Sequence, residues 1–486
     1  MLDQSFSAYN FNEVFQKERR KGHIRKDYFP ASYTSVLEEG HRLNETIHDL
    51  KQIKRSEWTD EQRDQFSKAK EDLENNIKQR KVEEEKWLES LADEVSKQRY
   101  HIVLTKVTLK DGKSGYTIPD DAKNLFVMKT LMSNVKKVFK VHQANRHRIM
   151  TQVKCMMNES TPKYIIRTDI HHFFESIPHN RLMGMIKENT LLSNQSISFI
   201  CQVLEEYERK KSPDEAPGHG VPRGIGVSAY LSEVYLRDLD EKIKHRPEVV
   251  FFVRYVDDIF IVLSHLPTET TLEQYYDGIR KEYADWGLSL MNPNIEEQKA
   301  KLQLVDFHTY MKKGDKNQKE VITYLGYKLI CVRCWSKFGA KLITRFDISE
   351  KKRDAIKARI DAAFIHFTNK TKYSLKEARR DLRDSLRFIV GNYKLTKSKT
   401  GIKAGIYYSS DLLSEMKSLR GLTYYLHSKT RNLTIYPEVL KGMQERDTYV
   451  KSIAVMVKGF NFERNWEDKK CYSIPDMRIR EISQWL

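Results

Sequence analysis

The chain has 486 residues, 40% of them hydrophobic and 11% aromatic, with a net charge of +18 at pH 7 and a pI near 9.3. That length holds about two to four domain-sized units, and the positive excess predicts a polyanionic partner, nucleic acid or an anionic membrane surface. No apolar run reaches the ~20 residues of a membrane span, the opening MLDQSFSAYNFNEVFQ has no signal-peptide core, and five scattered cysteines make no disulfide framework, so a cytoplasmic protein is expected, with no membrane partner.

Taken from the N-terminus, residues 1–34 are aromatic and basic, with FQKERRKGHIRK (Phe15 to Lys26) as a dense positive cluster. Residues 35–99 are highly charged, with Leu43, Ile47, Leu50 and then Trp87, Leu91, Val95 at spacings of three and four. This predicts two long amphipathic helices, paired as an antiparallel hairpin with solvated charged faces. The break WTDEQ reads as a helix start capped by Thr59 or Asp60. HIVLTKVTL (His101 to Leu109) opens like a strand, and a Lys/Arg-rich helical pattern follows it. From 164 to 345 short apolar strands alternate with helices, which is an α+β pattern. After about Asp347 the chain reads as helical and basic to its end.

Three segments carry the chemistry. YIIRTDIHHFFESIP (Tyr164 to Pro178) delivers Asp169 at the end of an apolar strand. GHGVPRGIGVSAYLSEVYLRDLDEKI (Gly218 to Ile243) is a Gly-rich loop running into a helix. VVFFVRYVDDIFIV (Val249 to Val262) reads as a hairpin with Val256, Asp257 and Asp258 at its turn, opposite another acid. Burying such acids alone costs several kcal/mol each. Two carboxylates about 4 Å apart repel by roughly 4 kcal/mol at an effective dielectric near 20. Three converging acids therefore call for a cation, and Mg²⁺ is the hard, oxygen-seeking candidate.

In this order and spacing, Asp169 with HHFF after it, PRGIGVSAYLSE and YVDD resemble the palm of reverse transcriptases. The resemblance continues through GLSLMNPNIEEQKAKL (Gly287 to Leu302), similar to the segment that ends in a catalytic-site lysine. ITYLGYKL (Ile322 to Leu329) is similar to the primer-grip hairpin. The resemblance implies a right-hand polymerase of fingers, palm and thumb. Its parts would be an N-terminal helical extension (1–99), fingers (100–168), a palm with an antiparallel sheet (169–345) and an α-helical thumb with C-terminal extension (346–486).

It implies that Asp169 and Asp257 hold two Mg²⁺ ions, with Mn²⁺ as the alternative, that Asp258 assists, and that the Ile170 carbonyl completes the set. Phe174, five positions after Asp169, takes the place of the bulky steric gate that selects dNTPs, one of Phe173 and Phe174 having to point inward. Arg223, Gly224 and Ser228 would pack under the incoming nucleotide and template base. Here Arg223 stands where the familiar pattern has Gln, and Ala229 where it has Pro. Lys299 or Lys301 would approach the departing pyrophosphate, and Arg146 or Arg148, in NRHRIMTQVK, the triphosphate. Tyr324, Leu325, Gly326 and Tyr327 would form the primer grip.

PRGIGVSAYLSE and the stretch from Ala378 to Leu413 resemble bacterial abortive-infection and defence-associated, retron-like reverse transcriptases more than retroviral or group II intron enzymes. The leading expectation is an RNA-directed DNA polymerase in antiphage defence. It would be templated by a dedicated noncoding RNA, make a DNA product, and work as a homo-oligomer or with a companion defence protein. A template-independent or protein-primed DNA polymerase is the alternative, and a catalytically silent RNA-binding scaffold the third. CVRC (Cys331 to Cys334) has metal-ligand spacing but no second pair, so free thiols are expected.

Overall fold

The computed structural model describes residues 2–97, 100–109, 112–188, 191–313, 319–336, 339–394, 403–431, 433 and 443–486. The chain forms two units, each assembled from separated stretches: residues 1–143 with 172–240, and residues 144–171 with 241–486.

In the first unit the expected helical hairpin is present, as Ala31–Gln52 and Asp60–Ser96. Thr59 is the cap: its hydroxyl accepts the Gln62 N–H while the Gln62 side chain accepts the Thr59 N–H, so two orphan donors are satisfied reciprocally. The two helices run antiparallel, because Gly40 meets Asn76 and Tyr33 meets Glu84. Gly40 is required there. A Cβ would lie 2.6 Å from Asn76 Oδ1, while Asn76 Nδ2 donates to the Val36 carbonyl at 2.9 Å.

The helix Ala8–Arg20 buries Phe11 and Phe15 against Trp87 and Phe126, with ring centroids 5.6–5.7 Å apart for Phe15–Trp87, Trp87–Phe126 and Phe11–Phe126. Glu18 on that helix is 3% exposed. Burial pushes its carboxyl up, but hydrogen bonds from Lys21 and His23 and the charge of Lys129 more than offset this and hold it at about 2.

The antiparallel pair β1 (Thr105–Thr108) and β2 (Ser114–Thr117) is shorter than the apolar run suggested. Just before it, Ile102 N–H donates to Gln202 Oε1 and Leu104 N–H to Glu206 Oε2, so side chains of the helix Asn194–Lys210 replace a ladder partner.

The second unit carries an antiparallel sheet built on β3 (Tyr164–His171), β4 (Val249–Tyr255), β5 (Asp258–Leu263), β6 (Ser289–Leu290) and β7 (Gln303–Asp306). β3 lies between β5 on one edge and, on the other, β7 and then β6 along its length. Every residue of Ile259–Leu263 is buried, as a strand covered on both faces should be. A second antiparallel sheet, β8 (Lys319–Tyr324), β9 (Tyr327–Ser336) and β10 (Gly339–Ile348), sends Ile322, Tyr324, Leu329, Cys331 and Phe346 into one core with Ile165, Phe260 and Val262. Cys331 and Cys334 therefore sit along a strand with free thiols, and burial pushes the Cys331 thiol up to about 12.

The C-terminal stretch is helical through Glu350–Lys370, Leu375–Val390, Lys417–Ser428 and Met443–Lys458, but the expectation of helix to the end is corrected. β11 (Asn392–Lys394) pairs antiparallel with β12 (Lys403–Gly405) and parallel with β13 (Cys471–Tyr472). Buried Asn392 supports the joint. Its Nδ2 donates to the Lys470 carbonyl at 3.1 Å and its Oδ1 accepts the Tyr407 N–H at 2.9 Å. Part of the Ala378-to-Leu413 stretch, residues 395–402, lies outside the described residues.

Candidate active site

The site in the second unit begins with register. β3 and β5 pair so that Asp169 faces Asp258 directly, on one side of the sheet. β4 and β5 are joined by the two-residue loop Val256–Asp257, with Tyr255 opposite Asp258, so Asp257 lies in the turn and Asp258 begins the strand. Val256 has φ +59°, an unfavourable setting for a β-branched residue that costs on the order of 1–3 kcal/mol. Two bonds hold it there. Buried Arg254 donates through Nη1 to the Val256 carbonyl at 2.8 Å, and the Ile170 N–H donates to the Asp257 carbonyl at 3.0 Å. The second bond locks the acidic turn to the strand that carries Asp169.

Two cations compensate the acids. Arg167 Nη2 donates to Asp258 Oδ1 at 2.6 Å, and its Nη1 donates to the Lys301 carbonyl at 2.5 Å. Lys301 Nζ in turn lies 3.1 Å from Asp169 Oδ1. Burial raises the Asp258 carboxyl to about 6, the neighbouring Asp169 and Asp257 charges add to the rise, and Arg167 and Lys301 oppose it. Behind the acids, Tyr276 donates to the Met291 carbonyl and shares a hydrogen bond with Thr168, while the Met291 N–H donates to the Asp169 carbonyl.

The structure separates the two candidate lysines. Lys299 pairs with Glu296 on its own short helix, whereas Lys301 reaches Asp169. Arg167 was missed, although alternation along β3 puts it on the face of Asp169, two residues on.

Asp169, Asp257 and Asp258 offer the hard oxygen donors that suit a magnesium-type ion, and the rise of the Asp258 carboxyl comes first from burial and then from the neighbouring Asp169 and Asp257 charges. Among the described residues no group of three or more His, Cys, Asp or Glu side chains is clustered closely enough to hold a metal. The donors fit such an ion in type, with Arg167 and Lys301 standing beside them as counter-charges.

The expected primer grip is the β8–β9 turn. Leu325 (φ +43°) and Gly326 (φ +77°) both adopt the left-handed backbone of a two-residue hairpin turn. Tyr324 hydroxyl donates to the Asp258 carbonyl at 3.3 Å, tying this hairpin to the acidic strand. Arg146 stands here. Its Nε and Nη2 donate to the Leu325 carbonyl at 3.0 and 2.5 Å, its Nη1 donates to the Ser409 carbonyl at 3.2 Å, and its guanidinium lies 5.2 Å over the Tyr327 ring. Lys352 donates to the Ser409 carbonyl and Ser410 hydroxyl, both at 2.6 Å. Burial, with the Arg146 charge, lowers its ammonium to about 7. Arg148 is exposed.

The remaining candidates belong to the first unit. Phe173 is the inward ring, 2% exposed, while Phe174 is half-buried. Arg223 lies 5.4 Å over the Phe174 ring and donates through Nη2 to Glu175 at 2.8 Å. Gly224 has φ +98°, and a Cβ there would meet the Tyr116 carbonyl at 2.7 Å, while the Tyr116 N–H donates to the Arg223 carbonyl at 2.7 Å. Ser228 is buried, and its hydroxyl finds no partner among the described residues.

Residues 119–329, less than half of the chain, match the family described as reverse transcriptase (RNA-dependent DNA polymerase). That span contains every candidate residue above except the Lys352 cluster, and the described residues form an α+β fold with antiparallel sheets. No curated protein matches the chain. Among solved structures it is similar to apo telomerase from Candida tropicalis truncated from its C-terminal domain (14% identity, 48% of this chain and 53% of that one, TM-score 0.33). It is also similar to the apo telomerase of that organism (12%, 77% and 65%, 0.34) and to its complex with a TWJ fragment of telomeric RNA (12%, 79% and 75%, 0.34). The chain thus spans about half to two thirds of the first two. No helix among the described residues is long and apolar enough to cross a membrane.

Proposed function

We propose that the chain copies an RNA template into DNA by nucleotidyl transfer from dNTPs, with Asp169, Asp257 and Asp258 as the catalytic acids. The observation that carries this is the in-register pairing of Asp169 with Asp258 beside the Asp257 turn. Asp169 and Asp257 would hold divalent ions, Mg²⁺ in the first instance, with Asp258 and the Ile170 carbonyl assisting. Such ions, when bound, neutralise triphosphate charge and favour the primer 3′-alkoxide.

The chain's own residues do the rest. Arg167 keeps Asp258 ionised and aimed, through the 2.6 Å bond. Lys301, half-exposed and bound to Asp169 at 3.1 Å, is the ammonium that would pass to the departing pyrophosphate. The Leu325–Gly326 turn presents backbone groups to the primer end, and Arg146 braces it. Phe174, its ring covered by Arg223, is the group that a ribose 2′-hydroxyl would strike.

A dedicated noncoding RNA as template, and a place in antiphage defence, are supported by the resemblance of PRGIGVSAYLSE to defence-associated enzymes. The test pairs Asp257→Ala with Asp258→Ala in one variant. Incorporation of labelled dNTP should vanish while circular dichroism stays that of the parent, and surviving synthesis would remove the assignment. Sequencing the nucleic acids that copurify with the protein reads out the template. Extension that persists after RNase treatment would favour the template-independent alternative.

A further inference from the structure

The β8–β9–β10 sheet has a second face, opposite the one that buries Tyr324, Leu329 and Phe346. Strand alternation puts Val321, Ile330 and Val332 on it, and these half-buried side chains line a cavity of about 630 Å³. Cations surround that apolar floor on three sides. The sheet supplies Lys319, Lys328 and Arg345, the helix Glu350–Lys370 supplies Arg353 and Lys357, and the helix Lys417–Ser428 supplies Lys417. The acids on the lining are Asp347 and Glu415. Asp347 is consumed within the fold, accepting from Ser418 hydroxyl and the Ile348 N–H at 2.7 Å each.

The positive charge is only partly answered. Arg345 pairs with Glu415 at 2.7 Å and Lys328 with Glu350 at 2.9 Å. Lys357 comes no nearer than 3.6 Å to Asp354. Lys319 and Lys417 have no ion pair among the described residues, and Arg353 Nε makes no hydrogen bond there, its nearest carboxylate being that of Asp354 at 3.6 Å. Gly421 adds a separate observation. It lies inside a helix, where glycine is a poor choice, and a Cβ on it would meet nothing within 4 Å. No internal packing asks for a glycine, and the space it leaves open belongs to the cavity.

We propose that this cleft binds a single-stranded stretch of RNA, its phosphates on the Lys/Arg rim and its bases over the Val321–Ile330–Val332 floor. A duplex keeps its bases inside and would leave that floor unused, and an acidic peptide would not need it either. The choice of RNA as the polymer rests on the reading of the chain as an RNA-directed polymerase; the charge and the floor do not. The cleft lies on the far side of the sheet from the core that takes in Phe260 and Val262 of β5, the strand that begins at Asp258, so it would hold RNA apart from the reacting strand.

The experiment is fluorescence anisotropy with the full chain and a labelled oligouridine of about twelve nucleotides, within the usual site size for single strands, titrated over a salt series. Lys319→Ala, Lys357→Ala and Lys417→Ala together remove one cation from each wall. For single strands each lost phosphate contact takes about 0.7 off the slope of log affinity against log salt, so the triple variant should lose about two units. Gly421→Leu fills the cleft with a good helix former and keeps every cation. It should weaken binding at fixed salt by tenfold or more with no fall in the unfolding midpoint. Wild-type slope and affinity in both variants would overturn the proposal, as would duplex RNA or oligodeoxythymidine competing better than oligouridine. Incorporation of dNTP on a short preformed primer–template is measured in parallel. Loss of that activity with cleft binding intact would count against the polymerase reading alone, and intact activity with no cleft binding would count against the cleft alone.

Discussion

Replacing Arg146 by Met separates two roles that its position allows. Three of its N–H groups donate to the Leu325 and Ser409 carbonyls, and its guanidinium covers Tyr327. Hydrogen bonds from a charged donor contribute about 1.5–3 kcal/mol each, but they are not additive, and the half-buried Leu325 carbonyl regains water when the donor goes. A loss of about 2 kcal/mol in holding the turn is therefore expected, equal to roughly 30-fold in an equilibrium.

If Arg146 braces the primer grip, that loss falls on the primer end. Steady-state extension with defined primer–template should show KM for primer–template rising about 10- to 30-fold, with KM for dNTP within about threefold of the parent. A tenfold or larger rise in KM for dNTP at unchanged primer affinity would refute the brace and return Arg146 to the triphosphate. Arg146→Lys is the control: it keeps the charge, loses the fork geometry, and should fall between the two.

Lys352→Met tests the buried ammonium next to Arg146. Its folded value of about 7 lies below the ordinary 10.5, so unfolding takes up a proton between about pH 7 and pH 10.5. The burial penalty is complete below pH 7 and relaxes as pH rises, so the parent should gain stability to urea from pH 7 to pH 10, on the order of a few kcal/mol, and the variant should gain less. Parallel profiles would show that Lys352 is not held low. Phe174→Ala should raise rNTP use relative to dNTP by about tenfold or more, a ~1.4 kcal/mol change in selectivity; an unchanged ratio in competition assays would place the gate elsewhere. In the double variant of Asp257 and Asp258, dNTP incorporation should be lost while the thermal midpoint falls by only a few degrees, because relief of the acid–acid repulsion offsets part of the cost of leaving Arg167 without Asp258. A fall in that midpoint of many degrees would mean the acids support the fold.

Local features carried much of this protein into the sequence. The two acids between apolar runs, the alternation along β3 and β5, and the Leu325–Gly326 turn are short-range patterns. A strand has a period of two and a hairpin has few turn types, so such patterns translate directly into geometry. The Thr59 cap and the amphipathic stripe from Leu43 to Val95 are of the same kind. For Phe173 and Phe174 the sequence demanded that one ring turn inward, but only the structure chose Phe173.

Tertiary structure decided the partners. Arg167 and Lys301 are far apart in sequence and meet around Asp258 and Asp169 because β7 folds back beside β3. The small sheet of β11, β12 and β13 joins Tyr393 to Tyr472 across a gap that no periodicity spans. Arg146 reads as one more basic residue on a helix until the fold sets it against Leu325. Charge compensation and long-range pairing depend on distances in space, and a linear pattern records only distances along the chain.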